Sequence, residues 1–226
     1  MATVGLLHPG EMGAAVGGCL VSAGHTVLWD PAGRSRASTG RALAAELSGA
    51  DLPAIVARCT VIFSICPPHA ALDVARQVAA ASFAGIYVDA NAISVATAAA
   101  VASIVAGGGA SYADGGIIGP PPEAAGRTRL YLSGERAAEV RALFGQSALD
   151  ARIAEGPPFA ASAVKMAYAV WVNATGSQLI GWMHFAGSVP GKFGVFSNGS
   201  FRPLPIPVPG NFYQWDDGSL LDQVAW

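Results

Sequence analysis

The alternation of short apolar strands with helices over residues 1–155 constrains the fold of this 226-residue chain more than any other feature. Thr3–Leu7 and Thr26–Trp29 are typical of buried strands, and Glu11–Ala23 between them carries apolar residues at helical spacing. These segments predict one strand–helix–strand unit. Because the alternation continues to a last strand at Ala151–Ala154, the sequence predicts an α/β fold with a doubly wound parallel sheet.

Further strands and helices are predicted between these segments. Strands are predicted at Thr60–Ile65, Ile86–Asp89, Ser111–Asp114 and Arg129–Ser133, and helices at Thr39–Leu47, Leu52–Ala57, Ala70–Ala81, Ser94–Ala106 and Glu135–Ser147. Ser94 is the expected N-cap of its helix. Asp30–Ser38 is expected to form a polar loop, and Gly115–Pro122 a rigid loop rich in glycine and proline.

The composition changes near the end of the chain. A helix is predicted over Ala160–Val172, but beyond it alanine occurs only at Ala174, Ala186 and Ala225. Pro203–Gly210 alternates proline with other residues, which excludes a helix and a central strand. We therefore predict a domain over residues 1–156, a helix over 157–180 and an irregular tail over 181–226 that is rich in proline, glycine and aromatic residues.

Charge and hydropathy exclude several classes of protein. A net charge of −2 argues against nucleic acid as the main partner, because binding phosphates requires an excess of lysine and arginine. The mean hydropathy is +0.43, but the chain lacks the run of roughly 20 apolar residues that a membrane span requires. Cys19, Cys59 and Cys66 form no CxxC pair and are expected to be buried thiols, and no metal site is predicted. Since no signal peptide precedes the first strand, a cytoplasmic protein is expected.

The turn after the first strand carries a partial dinucleotide-binding fingerprint. That fingerprint, G-x-G-x-x-G between a strand and a helix, lets the backbone approach a pyrophosphate group. Gly10 and Gly13 occupy its second and third glycine positions, and His8 replaces the first. The N-terminus of the following helix is suited to receive a phosphate. In the alternative interpretation both glycines serve only the backbone of the turn.

The end of the second strand indicates which dinucleotide is preferred. An acidic residue there binds the ribose hydroxyls of NAD, whereas a nearby arginine favours the extra phosphate of NADP. The chain has Asp30, followed by Arg34, Ser35 and Arg36. Two guanidinium groups and a hydroxyl suit a phosphate, so NADP is favoured and NAD is the second choice. An exposed arginine loop without a ligand is the alternative.

Three later strands end in small or polar residues, in the segments Ser64–His69, Val88–Ser94 and Tyr112–Gly119. Doubly wound folds bind ligands outside the carboxyl ends of their strands. Each segment by itself is also compatible with an ordinary loop. Together they predict one lip of a ligand cleft.

These segments together resemble the β-hydroxyacid dehydrogenase family, which includes 3-hydroxyisobutyrate and 6-phosphogluconate dehydrogenases. The resemblance covers roughly residues 3–172 and rests on Val4–Gly13, Ile65–Pro68, Asp89–Ser94, Asp114–Gly119 and Lys165. It implies a Rossmann domain. With the arginine loop included, the expected cofactor-binding residues are His8, Pro9, Gly10, Glu11, Met12, Gly13, Arg34, Ser35, Arg36, Cys66, Pro67, Pro68 and Asn91. The expected substrate-binding residues are Ala92, Ile93, Gly115, Gly116 and Ile117, although the family's D-x-S-T and S-G-G segments are altered here.

Lys165 is the candidate catalytic residue. It stands in an apolar segment, and Lys192 is the other lysine of the chain. Burial lowers the pKa of a lysine, which suits general acid–base chemistry near neutral pH. The resemblance implies that Lys165 handles the proton of a substrate hydroxyl, but the family's asparagine four residues later is Ala169 here, with Tyr168 and Asn173 nearby. A surface lysine with only its stem buried is the alternative.

Three functions follow as hypotheses. The first is an NADP-dependent oxidoreductase that transfers hydride between NADP and a small β-hydroxy acid, like 6-phosphogluconate dehydrogenase. The second is a protein or fragment that binds NADP but is catalytically incomplete, because the tail is too short and too rich in proline and glycine for the family's helical domain. The third is an imine reductase-like enzyme, against which a lysine at this position argues. The expected partner is a small-molecule substrate, with neither nucleic acid nor membrane, and the missing helical domain weakens the case for a homodimer.

Overall fold

The computed structural model describes residues 1–173, 179–180, 194–197 and 200–203. The chain divides into two compact units, Met1–Ser162 and Ala163–Trp226. The three parts predicted from the sequence, with boundaries at residues 156 and 180, stay a prediction.

The first unit is built on an eight-stranded sheet. Its strands are β1 (Thr3–Leu6), β2 (Thr26–Trp29), β3 (Ser48–Gly49), β4 (Val61–Ser64), β5 (Ile86–Asp89), β6 (Ser111–Ile118), β7 (Thr128–Ser133) and β8 (Leu149–Ile153). Its helices are α1 (Glu11–Ser22), α2 (Arg36–Ala44), α3 (Leu52–Arg58), α4 (Ala71–Ala80), α5 (Val95–Gly107) and α6 (Ala137–Ala142), and a 3-10 turn at Pro68–Ala70 precedes α4. The helix α7 (Ala160–Asn173) begins in this unit and continues into the second. Ser94 caps α5 as expected, since its Oγ accepts a hydrogen bond from the Thr97 N–H at 3.1 Å.

The strand order is β3-β2-β1-β4-β5-β6-β7-β8, and every neighbouring pair except β6–β7 is parallel. The chain moves outward from β1 to β3 and then crosses back to β4. The strand order therefore reverses between β1 and β4, and in open α/β sheets this switch point is where ligands bind. The predicted doubly wound fold is confirmed.

Apolar side chains cover both faces of the sheet. Val16 of α1 and Val140 of α6 belong to the core on one face, and Val74 of α4 and Val101 of α5 belong to the core on the other. Successive residues of a strand point to opposite faces. Central strands buried on both sides therefore read as continuous apolar runs, as residues 61–63 of β4 do.

The prediction of a loop at Gly115–Pro122 is wrong for its first half. Gly115 to Ile118 continue β6 and pair with β7 in antiparallel register, from Asp114 opposite Ser133 to Ile118 opposite Arg129. The connection between β6 and β7 contains no helix, so the chain reverses direction instead of crossing over. The sheet is thus mostly parallel, not entirely parallel as predicted.

Two helices differ from their predicted bounds by three residues or more at one end or both. α2 begins at Arg36 rather than Thr39, because Ser35 serves as its N-cap and accepts a hydrogen bond from the Ser38 N–H. Arg36 therefore lies in the first turn of a helix and not in a loop. α6 spans only Ala137–Ala142, because the next N–H groups bond three residues back and Gly145 takes a positive φ of 50°.

In the second unit, β9 (Leu179–Ile180), β10 (Gly194–Ser197) and β11 (Ser200–Pro203) form a three-stranded antiparallel sheet in the order β11-β10-β9. These short strands were not predicted from the sequence. The proline-rich segment after Pro203 lies outside the described residues. No helix in the described part of the chain has both the length and the apolar character to cross a membrane.

Candidate functional site

The turn between β1 and α1 runs tightly against the start of the helix. The Gly10 N–H donates to the His8 carbonyl at 2.9 Å, and Gly10 is the N-cap of α1. A Cβ atom on Gly13 would lie 2.1 Å from the His8 carbonyl oxygen, so only glycine fits there. Around Gly10, in contrast, no described atom lies within 4 Å of a Cβ position. Gly13 thus allows close packing, and Gly10 leaves an open backbone face that a ligand can approach.

His8 of the β1 turn and Arg34 of the loop after β2 interact electrostatically. Burial, with the charge of Arg34 as a smaller cause, lowers the pKa of His8 to about 4. His8 is therefore neutral near pH 7. Nδ1 of His8 and Nε of Arg34 are both buried and, within the described residues, lack a hydrogen-bond partner. Two buried polar atoms beside an open glycine fit a polar ligand such as a dinucleotide phosphate.

Asp30, Ser35 and Arg36, the other residues expected near the ribose of the dinucleotide, have defined places in the fold. Asp30 Oδ1 accepts a hydrogen bond from the Ala32 N–H at 2.9 Å, so this carboxylate stabilises the turn after β2. The Ser35 hydroxyl caps α2, and Arg36 is exposed at the start of that helix. Of the predicted loop residues, Arg34 is the one whose charge acts on His8 of the β1 turn.

Arg41 is a cationic residue of this region that the sequence analysis missed. Its Nε donates to the Pro9 carbonyl at 3.4 Å, and its Nη2 donates to the Ser38 hydroxyl at 3.4 Å. α2 is thereby tied to the β1 turn. Ser38 and Arg41 are three residues apart, and this spacing makes two side chains neighbours on a helix. The sequence therefore reveals the pair only if α2 is known to begin at Arg36.

The ends of β4 and β5 form the neighbouring wall. Cys66 is half-buried, and its pKa rises to about 11 because of burial, an effect that the Arg34 charge partly opposes. The Cys66 N–H donates to Asn91 Oδ1 at 2.6 Å. The predicted cofactor residues Pro67 and Pro68 are exposed beside it. The structure thus brings the predicted residues of β1, β2 and β4 to one edge of the sheet.

A row of buried polar residues crosses the sheet just below this edge. Ser64, Asp89, Asp114 and Ser133 are register partners on four adjacent strands, and each is at most 4% exposed. Asp114 accepts hydrogen bonds from the Ser133 hydroxyl at 2.8 Å and from the Ser162 N–H at 2.9 Å. It thereby fixes the first turn of α7. The sequence showed polar residues at the strand ends but not that they share one level.

Asp89 is the member of this row with the most strongly altered titration. Burial, together with the nearby charge of Asp114, raises the pKa of Asp89 to about 7, although the Asn91 N–H bonded to its Oδ1 at 3.0 Å favours the carboxylate. Asp89 is therefore half-protonated near neutral pH.

We expect this carboxyl group to make the protein less stable as pH rises from about 4 to 7. Over this range the unfolded chain releases the Asp89 proton and the folded chain retains it, so rising pH favours unfolding. The loss is on the order of a few kcal/mol and is complete above the raised pKa. Urea unfolding of wild type and Asp89→Asn at pH 5 and pH 7.5 measures it. The variant should lose less stability between the two pH values, and parallel losses would contradict the assignment.

The predicted substrate-binding residues are mostly buried. Gly115, Gly116 and Ile117 lie inside β6, and a Cβ on Gly115 would approach the Asp89 carbonyl to 2.9 Å. Ile93 is also buried, and Ala92 is half-buried at the same strand end as Asn91. Their contact with a substrate stays a prediction.

Lys165, the predicted catalytic residue, lies on α7 and is half-buried. Burial lowers its pKa, as the sequence analysis anticipated for a lysine in an apolar segment. Its catalytic role stays a prediction.

No protein family model matches the chain, and no curated protein matches its sequence. Solved structures do match. The conserved protein MTH1747, of unknown function and structurally similar to 3-hydroxyacid dehydrogenases, shares 28% identity over 76% of this chain and 66% of its own, with a TM-score of 0.66. Mycobacterium tuberculosis 3-hydroxyisobutyrate dehydrogenase, solved with L-serine, shares 25% identity over 76% of this chain and 60% of its own, with a TM-score of 0.65.

An Aspergillus terreus reductive aminase in complex with NADPH4 shares the fold at 20% identity and a TM-score of 0.62, over 76% of this chain and 62% of its own. The chain therefore spans less than two thirds of the length of each of these solved proteins.

Proposed function

We propose that the chain carries an NAD(P)-binding domain like that of the β-hydroxyacid dehydrogenases it resembles, and that it binds NADP and transfers hydride between NADP and a small β-hydroxy acid. The observation that supports this most is the edge of the sheet at the β1–β4 switch point. There the open face of Gly10, the N-terminus of α1 and the buried Nδ1 of His8 lie together, and the charge of Arg34 acts on His8. A helix N-terminus with free N–H groups favours an anion such as a pyrophosphate.

Arginine residues favour NADP over NAD in this proposal. The charge of Arg34 acts on His8 of the β1 turn, Arg36 is exposed at the start of α2, and Arg41 contacts Pro9 and Ser38. Asp30 would compete for a ribose hydroxyl, but one of its carboxylate oxygens already serves the turn after β2. The residues present therefore suit a ribose that carries a phosphate.

When bound, the nicotinamide cofactor accepts or supplies the hydride. In the proposed reaction, Nζ of Lys165 takes the proton of the substrate hydroxyl during oxidation and returns it during reduction. Burial lowers the pKa of this amine, which increases the neutral fraction that accepts a proton near pH 7. 6-Phosphogluconate and 3-hydroxyisobutyrate represent the proposed class of substrate.

Replacing Gly10 with alanine should weaken NADPH binding by about ten-fold or more while the fold is retained, because the methyl group would fill the face that a pyrophosphate approaches. Gly10 has an extended conformation with φ −65°, which alanine adopts without strain. NADPH fluorescence titration and thermal unfolding measure both effects. Absence of NADPH binding by the wild-type chain at millimolar concentration would refute the proposed function. Unchanged affinity in Gly10→Ala would refute this cofactor position.

A second candidate is a protein that binds NADP without turnover. It is favoured by the coverage, because the chain matches only 60–66% of the length of the dehydrogenase-like structures. Oxidation of a panel of β-hydroxy acids, followed by NADPH absorbance, separates the two candidates. The panel should include reduction of a cyclic imine, since imine reductases share this fold at about 20% identity.

A further inference from the structure

Both polar atoms of the Asn91 side chain are hydrogen-bonded within the protein. It is 2% exposed, although it stands among the residues expected to contact a cofactor. Its Oδ1 accepts the Cys66 N–H at 2.6 Å, and its Nδ2 donates to the Ser64 hydroxyl at 3.1 Å. The orientation of the amide follows from its partners, because a backbone N–H only donates and must face the oxygen. Each polar atom of the side chain thus has a partner inside the protein, and burial leaves the amide almost inaccessible to a ligand.

The turn that Asn91 holds, Cys66–Pro67–Pro68, has few other hydrogen-bond donors. Cys66 carries the last N–H group before Pro67 and Pro68, and proline has none. The two prolines cannot donate to the sheet or to a neighbouring loop. The bond from Cys66 to Asn91 therefore fastens the exit of β4 to the end of β5.

Asn91 is itself fixed by the buried polar row. Its backbone N–H donates to Asp89 Oδ1 at 3.0 Å, and the Ala90 N–H donates to the Ser64 carbonyl at 3.0 Å. Ser64 and Asp89 are register partners on β4 and β5. The amide thus connects two strand ends that are already aligned, and it holds the chain that leaves one of them.

This turn borders the glycine turn of the candidate cleft. The Ile65 Cβ lies 3.8 Å from the position of a Cβ at Gly13, and the Leu7 N–H donates to the Phe63 carbonyl at 3.1 Å. A shift of the β4 exit would therefore change the wall beside the β1 turn. Sites depend on such supporting contacts, because small displacements of the wall reduce binding.

We propose that Asn91 is a positioning residue of the cofactor cleft, which holds the Cys66–Pro67–Pro68 turn against β5 without contacting the cofactor itself. The expected effect on cofactor binding rests on the proposed function. It differs from the role expected from the sequence, in which Asn91 is a direct cofactor contact.

The test combines amide hydrogen exchange at Cys66, measured by NMR, with NADPH titration of the full chain. In Asn91→Ala the Cys66 N–H loses its acceptor, so its exchange should accelerate at least ten-fold and the Kd for NADPH should rise about ten-fold. Asn91→Asp keeps an oxygen for the Cys66 N–H, and Ser64 is able to donate to the second oxygen. Both properties should therefore recover in Asn91→Asp, more fully at pH 6 than at pH 8 because the added carboxyl group lies beside Asp89.

Val140→Ala controls for a general loss of stability. Val140 is a buried residue of α6, which packs beside β7 and β8. This variant should leave the NADPH Kd within about two-fold of wild type at a comparable thermal midpoint. An equal rise in Kd in Val140→Ala would overturn the inference, because it would show that lost stability suffices.

Two other results would overturn the inference. A raised Kd in Asn91→Ala with unchanged Cys66 exchange would indicate a direct cofactor contact. Faster Cys66 exchange with unchanged Kd would show that the turn does not affect binding. If the wild-type chain binds no NADPH, the proposed function fails and the positioning role fails with it. Cys66 exchange would then show separately whether Asn91 holds the turn.

Discussion

Gly13→Ala is expected to lower the free energy of unfolding by more than about 3 kcal/mol and to abolish NADPH binding. The added Cβ would lie 2.1 Å from the His8 carbonyl oxygen, and neither atom can rotate away, because the carbonyl is backbone and the backbone fixes the position of a Cβ. α1 would have to move away from the β1 turn to relieve this overlap. Its buried residues Val16 and Leu20 would then lose packing against the sheet. Thermal unfolding should show a midpoint lower by about 6–12 °C.

Gly18→Ala is the matched control for this prediction. Gly18 lies on the same helix, but its nearest neighbour around a Cβ would be Ala45 at 3.7 Å, an ordinary contact. Alanine is a better helix former than glycine, so this variant should be as stable as wild type or slightly more stable. Equal stability of Gly13→Ala and Gly18→Ala would show that the helix adapts easily, and the tight turn would not explain the glycine.

Lys165→Ala is expected to reduce kcat for oxidation of a β-hydroxy acid by about 10²–10⁴-fold, the usual contribution of a general acid–base group. The neutral amine accepts the proton, so the wild-type rate should rise with pH. Because burial lowers the pKa of Lys165, this rise should be centred below the ordinary lysine value of 10.5. The variant should lose both the rate and this limb of the pH profile, while its NADPH Kd stays near the wild-type value.

Two variants sharpen this test. Lys165→Arg keeps a positive charge but holds its proton at every accessible pH, so it should be as inactive as Lys165→Ala. Lys192→Ala removes the other lysine of the chain and should leave the rate unchanged. Full activity in Lys165→Arg would show that the position supplies charge and not a proton acceptor. Unchanged activity in Lys165→Ala would exclude the acid–base role.

Much of the fold could be predicted from local patterns. The strands at Thr26–Trp29 and Ile86–Asp89 have their predicted bounds, and Ser94 caps α5 as predicted. Buried strands and capped helices are signalled by neighbouring residues. The extension of β6 to Ile118 was missed, because its glycines indicate a loop until their pairing with β7 is known. The early start of α2 was missed because its first turn is polar.

The candidate site was predicted less completely. The glycine turn, Arg34 and Cys66 could be predicted as candidates because each follows a strand that the sequence marks clearly, and their contact with a cofactor stays a prediction. Arg41 was missed because its contact with Pro9 joins residues that are 32 positions apart. Asn91 was predicted as a direct cofactor contact, but its partners Cys66 and Ser64 lie 25 and 27 positions away. Its internal role could not be predicted from residue type.

The sequence by itself determined the alternation of elements, and with it the doubly wound sheet and the place of the glycine turn, because hydrophobic periodicity and glycine geometry act over a few neighbouring residues. Only the tertiary structure decided that Ser64, Asp89, Asp114 and Ser133 form one buried row. It also decided that Asn91 faces inward and that the charge of Arg34 acts on His8. Register and burial depend on which strands become neighbours, and both the raised pKa of Asp89 and the pairing of Asn91 follow from them.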